Sequence, residues 1–207
     1  MLDKINLLKK ITKNNYFDVK VFEPYNKLSI EFLKDFADEI KKNKESYKKP
    51  DLVYLIFWCN KKIKYILNKE KNSKVRLGRG LIFHICPSNV PTNFIYSFFF
   101  GLLSGNSNII KIPSKNFPEK TIILSALNFL FKKKKFKKLK NSSSFIEYNN
   151  NQLDYTKNLS SICAARVIWG GDKTINEIRK IWIPERTIEI TFPDRYSISV
   201  LGSNKLI

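Results

Sequence analysis

The 207-residue sequence predicts an α/β domain built on a parallel sheet, preceded by an N-terminal helical region. Three observations predict it. From Leu81 onward, short apolar runs of strand length alternate with segments of helical period, the pattern of βα units in a layered domain. The stretch LGRGLIFHICPSNVPTNFIYSFFFGLLSGNSNIIKIPSK, residues 77–115, holds a whole strand–loop–helix–strand unit, whose strands pair in parallel through a crossover. Ahead of it, apolar residues recur mostly at helical spacing. The expected division is a helical region over 1–75 and an α/β domain over 76–207.

In chain order, Leu2, Ile5 and Leu8 suggest a helix over 1–11, and partial alternation suggests a strand over 16–22. Ser29 reads as the N-cap of a helix carrying Phe32, Phe36 and Ile40 at steps of four. Pro50 suits the first turn of the next helix, over 51–69, with Val53, Ile56 and Phe57 on its apolar face. Leu81–Ile85 is a strand. Pro87 and Pro91 stiffen the loop after it, because each fixes φ and lacks a donor. Asn93–Leu103 is a helix, and Gly105 suits the left-handed position just past its end. Asn108–Ile112 is the second strand. Ligands of parallel sheets sit at the carboxyl ends of the strands, where the loops Pro87–Asn89 and Pro113–Lys115 fall.

Pro118 opens another helix. The lysine-rich run 132–138 that follows reads either as an anion-binding patch or as a solvated helix end. Phe145–Tyr148 and Arg166–Trp169 are strands flanking a helix over Leu153–Ile162. Gly170-Gly171-Asp172-Lys173-Thr174 then leads into a helix over Ile175–Lys180. Two glycines admit close backbone approach, and free N–H groups at the helix start suit phosphate. Thr187–Phe192 and Tyr196–Leu201 are further strands.

Hydrophobic residues make up 43% and aromatics 14%, which excludes a disordered chain. The net charge of +20 would draw nucleic acid, anionic membrane or a polyanionic cofactor, and it equally describes lysine-rich solvated surfaces. Three scattered cysteines, Cys59, Cys86 and Cys163, match no zinc or CxxC spacing, so reduced thiols in a cytoplasmic protein are expected, without a metal. No apolar run is long enough to span a bilayer, so no stable membrane insertion is expected.

Three segments, HICPSNVPTNFIYSFFFGLLSGNSNIIKIPSK, RVIWGGDKTINEIRKIWIPERTIEITF and PDRYSISVL, together resemble one family. The chain resembles the nucleotide-binding core of the aldehyde dehydrogenase superfamily, and within it the long-chain fatty acyl-CoA reductases, the acyl-protein thioester reductases of the bacterial bioluminescence fatty acid reductase complex. The resemblance implies a Rossmann-type sheet and NADPH-dependent reduction of a fatty acyl-CoA or acyl-protein thioester to the aldehyde, through an acyl-cysteine. It implies that Asn89 donates its amide to the oxyanion. It places the adenosine ribose near Lys111, Ser114 and Lys115, and the pyrophosphate near Gly170, Gly171 and Thr174. The family's ribose-binding glutamate is replaced by Lys115, a cation that would attract a 2′-phosphate, so NADPH is expected over NADH. Glu189 does not align with the family's general base and is left unassigned. In the family the nucleophilic cysteine lies in a downstream catalytic domain, so the resemblance implies that residues 76–207 are an incomplete NAD(P)-binding domain; none of the three cysteines occupies the nucleophile's motif, and the chain is expected to bind nucleotide without turning over alone. An acyl-protein synthetase or a complementing catalytic half would be its partner. Two other classes stay open: a non-catalytic nucleotide-binding subunit or remnant, and a basic nucleic-acid-binding protein. The second is ranked last, with no nucleic acid expected as partner, because no recognised motif accompanies the charge.

Overall fold

The computed structural model describes residues 19–62, 76–149, 152–194 and 198. Its centre is a five-stranded sheet. β1 (Leu81–Ile85) lies between β2 (Ser107–Lys111) and β4 (Ala165–Gly170); β3 (Ser143–Ile146) flanks β2, and β5 (Ile188–Pro193) flanks β4. All four pairings are parallel and the strand order is 3-2-1-4-5. The chain builds outward from β1 to β3, then returns to the other side of β1. β1 and β2 are buried along their whole length, β1 with His84 among apolar residues and β2 with Ser107, Asn108 and Lys111 enclosed beside Ile109 and Ile110.

Helices pack on both faces of the sheet around β1, while Ile188, Ile190 and Phe192 of β5 stay exposed. On one face Phe83, Ile85, Ile109 and Ile168 pack with Leu159 of α6 (Leu153–Ile162) and Ile175 of α7 (Asp172–Arg179). On the other, Ile110 and Ile112 join a larger core formed by α1 (Lys27–Lys41), α2 (Pro50–Phe57), α3 (Asn93–Leu103), α4 (Pro118–Lys132) and the short α5 (Lys137–Asn141). Phenylalanines dominate that core. Phe32 meets Phe98 and Phe136 edge-on at 6.2 and 5.0 Å, and Phe36 meets Phe99 at 5.1 Å. Such edge-to-face pairs add about 0.5–1.5 kcal/mol each beyond area burial. The described N-terminal helices therefore share one core with the α/β layer.

Several local expectations change. The cap of α1 is Asn26, whose side chain accepts from the Ser29 N–H at 3.0 Å; Ser29 lies inside the helix, its hydroxyl turned to the Leu102 carbonyl. α2 buries Leu52 and Leu55, leaving Val53 and Phe57 42% and 44% exposed. Its sequence is apolar nearly all round, so period alone does not choose the buried face. The stack of Trp58 on Phe99, 6.1 Å apart, belongs to the face that packs. The helix then widens into a π turn over Trp58–Lys62. Residues 19–22 are not a sheet strand; Phe22 instead accepts from Gly78 N–H and donates to the Gly105 carbonyl. Gly105 has φ 78°, and a Cβ there would lie 2.1 Å from the Phe22 oxygen, so glycine is required twice over. The second and third strands each begin earlier than their apolar residues suggest, at Ser107 and Ser143, and α7 begins at Asp172. The proposed helix over 1–11, the later part of the helix over 51–69 and the strand over 196–201, Ile198 apart, lie outside the described residues.

In the lysine run, Lys133 pairs with Asp35 at 3.1 Å, and Lys135 with Glu31 and Asp35 at 2.6 and 2.9 Å. Phe136, the run's aromatic, is fully buried and offers no stacking surface. This part of the run ties the end of α4 to α1.

Candidate functional site

A cavity of about 960 Å³ opens at the carboxyl ends of β1, β2 and β4. That is the upper end of the roughly 300–1,000 Å³ typical of small-molecule and cofactor sites. It lies where the strand order reverses, the place at which neighbouring crossovers diverge and leave a crevice.

The β1 loop contributes Cys86, Pro87, Ser88 and Asn89, the last exposed. The β2 side contributes Lys111, Ile112, Pro113 and Ser114. Lys111 continues the Ile109 face of its strand and is 9% exposed, with Nζ 4.7 Å above the Tyr148 ring. Burial holds its pKa below the usual lysine value. Tyr148 stacks on Tyr155 at 5.3 Å and shares a hydrogen bond with Thr156, itself in the cavity lining. From the end of β4 come Trp169 and Gly170, followed by Gly171 at the cap of α7 and Thr174 in its first turn. Ile178, Ile181 and Trp182 form the far wall, with Trp182 67% exposed.

The cavity thus brings together Asn89, Lys111, Ser114, Gly170, Gly171 and Thr174. Lys115 is outside the lining. It is exposed on the same loop as Ser114, with Nζ 5.2 Å above the Phe117 ring.

Several site residues were not singled out from the sequence. Lys120 is 6% exposed and donates from Nζ to the Pro113 carbonyl and, at 2.9 Å, to Glu147 Oε2, bracing the β2 loop from within. The signal for it is present: Lys120 stands on the buried stripe Ile123, Leu127 and Leu130 of α4, where a lysine needs a partner. Trp169 stacks on Phe192, centroids 4.0 Å apart, and donates from Nε1 to Ser97 Oγ at 3.1 Å. Ser97 leads to His84, which lies beneath the cavity floor, buried and held near pKa 4 by burial, with Asn108 partly offsetting the shift. A buried, hydrogen-bonded histidine is the reading its strand position gives.

The thiols are unreactive by environment. Burial pushes Cys86 up to about 12, against smaller opposing pulls from a hydrogen bond with Ser97 and then the Lys111 charge; it pushes Cys163 to about 11, opposed by Arg166, and raises Cys59 too. Glu189 sits on β5, outside the cavity lining, with its carboxylate held by Arg166 and Arg179. Burial alone would raise its pKa, but the hydrogen bonds from Arg179 and Arg166 outweigh it and keep the group below the usual carboxylate range. Among the described residues no group of His, Cys, Asp and Glu could hold a metal ion, and no helix is long and apolar enough to cross a membrane.

No curated protein matches the sequence. Among solved structures, the chain is similar to PutA from Anabaena variabilis, assigned as an aldehyde dehydrogenase, with TM-score 0.51 and 19% identity over 74% of this chain and 36% of that one. It also aligns with NADP-dependent glyceraldehyde-3-phosphate dehydrogenase from Bacillus halodurans C-125, complexed with NADP, at TM-score 0.48 and 13% identity over 77% of this chain and 39% of the other. The chain thus spans little more than a third of either structure's length. The likeness to PutA is one of fold, an aldehyde-dehydrogenase-like Rossmann-type sheet. The family model of acyl-CoA reductase (LuxC) matches residues 61–206, a span that holds all five strands and the whole lining of the cavity. On that match the chain belongs to the acyl-CoA reductase (LuxC) family.

Proposed function

We propose that this chain supplies the nucleotide-binding part of an enzyme that reduces a long-chain fatty acyl thioester, fatty acyl-CoA or an acyl-protein, to the aldehyde with NADPH. The supporting observation is the cavity at the strand-order reversal, whose lining includes six residues that the family resemblance connects with the cofactor and the reacting carbonyl. Its size and donor set suit a dinucleotide: a buried lysine, a serine, and two glycines at a helix N-terminus. Lys111 and Ser114 would hold the ribose side and Gly170, Gly171 and Thr174 the pyrophosphate. Lys115, on the rim of the same loop, would meet a 2′-phosphate. When bound, the reduced nicotinamide would supply hydride.

Asn89 is exposed in the cavity lining, and no hydrogen bond among the described residues engages its amide. It is available to donate to an oxyanion, an interaction worth about 2.7–4 kcal/mol in comparable holes. The acyl-cysteine route also needs a thiolate, and the three thiols here are buried and held protonated. The chain alone therefore binds nucleotide and releases no aldehyde; a complementing catalytic half, or an acyl-protein synthetase delivering substrate, completes the reaction. The same thiols favour a second reading, a non-catalytic nucleotide-binding subunit. Calorimetric titration with NADPH and NADH, and aldehyde assay with acyl-CoA, test the proposal. Micromolar NADPH binding without aldehyde release is expected; no binding of either nucleotide would sink it.

A further inference from the structure

Arg166 is the largest side chain fully enclosed in the described fold, at 1% exposure, and it has no place in the cavity lining. Its Nη1 donates to Ser160 Oγ of α6 and to the Ile181 carbonyl, both at 3.1 Å. Its Nε donates to Glu189 Oε2 at 2.8 Å, and Nη2 pairs with the same oxygen. Glu189 Oε1 accepts from Arg179 Nε at 2.8 Å. Four elements thus converge on one guanidinium: α6, β4, β5 and the end of α7.

The bond to Ile181 is the informative one. Ile181 N–H donates back to the Ile178 carbonyl at 3.0 Å, closing the turn that leaves α7, and Ile178, Ile181 and Trp182 form the far wall of the cavity. Trp182 is 67% exposed, so side-chain packing does little to place it; its backbone tether does. A buried ion pair is weak evidence of stability, because well-packed apolar residues often serve as well or better. What it fixes is geometry. We infer that Arg166 and Glu189 form a clamp that sets the Ile178–Trp182 wall, and are positioning residues for the nucleotide in the cavity; the identity of that ligand rests on the function proposed above.

The test uses Glu189→Gln, which keeps the side chain's shape and loses its charge, with Arg179→Gln as control for the exposed arm of the pair and Trp182→Phe to assign the fluorescence signal. Acrylamide quenching of Trp182 in the ligand-free protein reads the wall directly, and calorimetry reads NADPH affinity. Glu189→Gln should melt cooperatively, change the quenching of Trp182 and weaken NADPH by about tenfold, within what coupled networks carry. Arg179→Gln should change neither by more than about twofold, as for an exposed ion pair. A folded Glu189→Gln with wild-type quenching and affinity would overturn the clamp and leave the triad as a brace between strands. If wild type binds no nucleotide, the proposed function fails, and quenching alone decides the clamp. Should Glu189→Gln not fold, Ser160→Ala, which removes one tie of Arg166, takes the same readouts.

Discussion

The Nδ1 atom of His84 lies 2.8 Å from Ser97 Oγ, and the surrounding bonds fix which ring nitrogen carries the proton. Asn108 Nδ2 donates to the Asn106 carbonyl at 2.7 Å, which turns Asn108 Oδ1 toward His84 Nε2 at 3.0 Å. Nε2 therefore holds the hydrogen, Nδ1 accepts from Ser97, and Ser97 accepts from Trp169 Nε1. Every polar atom in this chain is used while the ring is neutral. Protonation would set a second ring N–H against the Ser97 hydroxyl, which must then turn its own hydrogen away from the ring to another acceptor.

That arrangement sets the acid stability. Burial holds His84 near pKa 4, against 6.5 for the free side chain. Between those values the unfolded chain binds a proton that the folded chain does not, so stability is full above pH 6.5 and falls as pH drops toward 4. The shift corresponds to about 3 kcal/mol, of which about 2 kcal/mol is lost between pH 6.5 and 5. His84 is the sequence's single histidine, so this window carries one signature. Urea melts from pH 7.5 to 5 should show the loss in wild type and a flatter profile in His84→Gln. A flat wild-type profile would mean that His84 titrates normally.

Gly101 exists to admit this network. A Cβ there would stand 1.9 Å from Asn108 Oδ1 and 3.0 Å from His84 Nε2. Both atoms are locked by their own bonds and cannot step aside cheaply. Gly101→Ala should cost about 1–3 kcal/mol by overpacking, although alanine is the better helix former. A chemical melt of the variant checks it; gained stability would show that the network yields.

Thiol titration offers a direct readout of burial. With Cys86 near pKa 12 and Cys163 near 11, and Cys59 raised as well, a disulfide exchange reagent at pH 7.5 should label the folded protein slowly. All three thiols should react on unfolding. One rapid equivalent in the folded state would reveal an accessible, activated cysteine.

Lys115→Glu separates the cofactors. The lysine stands beyond Ser114 on the exposed part of the β2 loop. A well-made charge-assisted contact to a 2′-phosphate contributes about 1.5–3 kcal/mol, so the variant should bind NADPH about tenfold or more weakly while NADH holds or improves. Calorimetry with both nucleotides decides. Equal losses would indicate general damage, and no change would make Lys115 an ordinary surface cation.

What the sequence made legible was local. Leu81–Ile85, Asn93–Leu103 and Leu153–Ile162 form at their expected bounds; for the first two, apolar residues between flanking Gly and Pro define the ends without outside help. The polar loops at the strand ends were legible for the same reason. The buried face of α2 was not, since it depends on Phe99, distant in sequence. Asn26 displaced Ser29 as cap because both residue types serve, and tertiary packing drew the serine hydroxyl toward Leu102. Lys120, Trp182 and the Arg166–Glu189 pair acquire their roles through partners on other elements, and no spacing rule carries that information.

Strand order also sets a timetable for synthesis. Ile82 pairs with Asn108 in β2 on one side, but with Ala165 in β4 on the other. As the chain leaves the ribosome, β1, β2 and β3 can assemble with their helices while the far edge of β1 stays open. That edge is flanked by Leu81, Phe83 and Ile85, which are buried in the finished fold. At about 5–20 residues per second, β4 arrives on the order of seconds later. For that interval the nascent protein shows an unpaired apolar edge, the kind that recruits chaperones or joins a neighbouring chain.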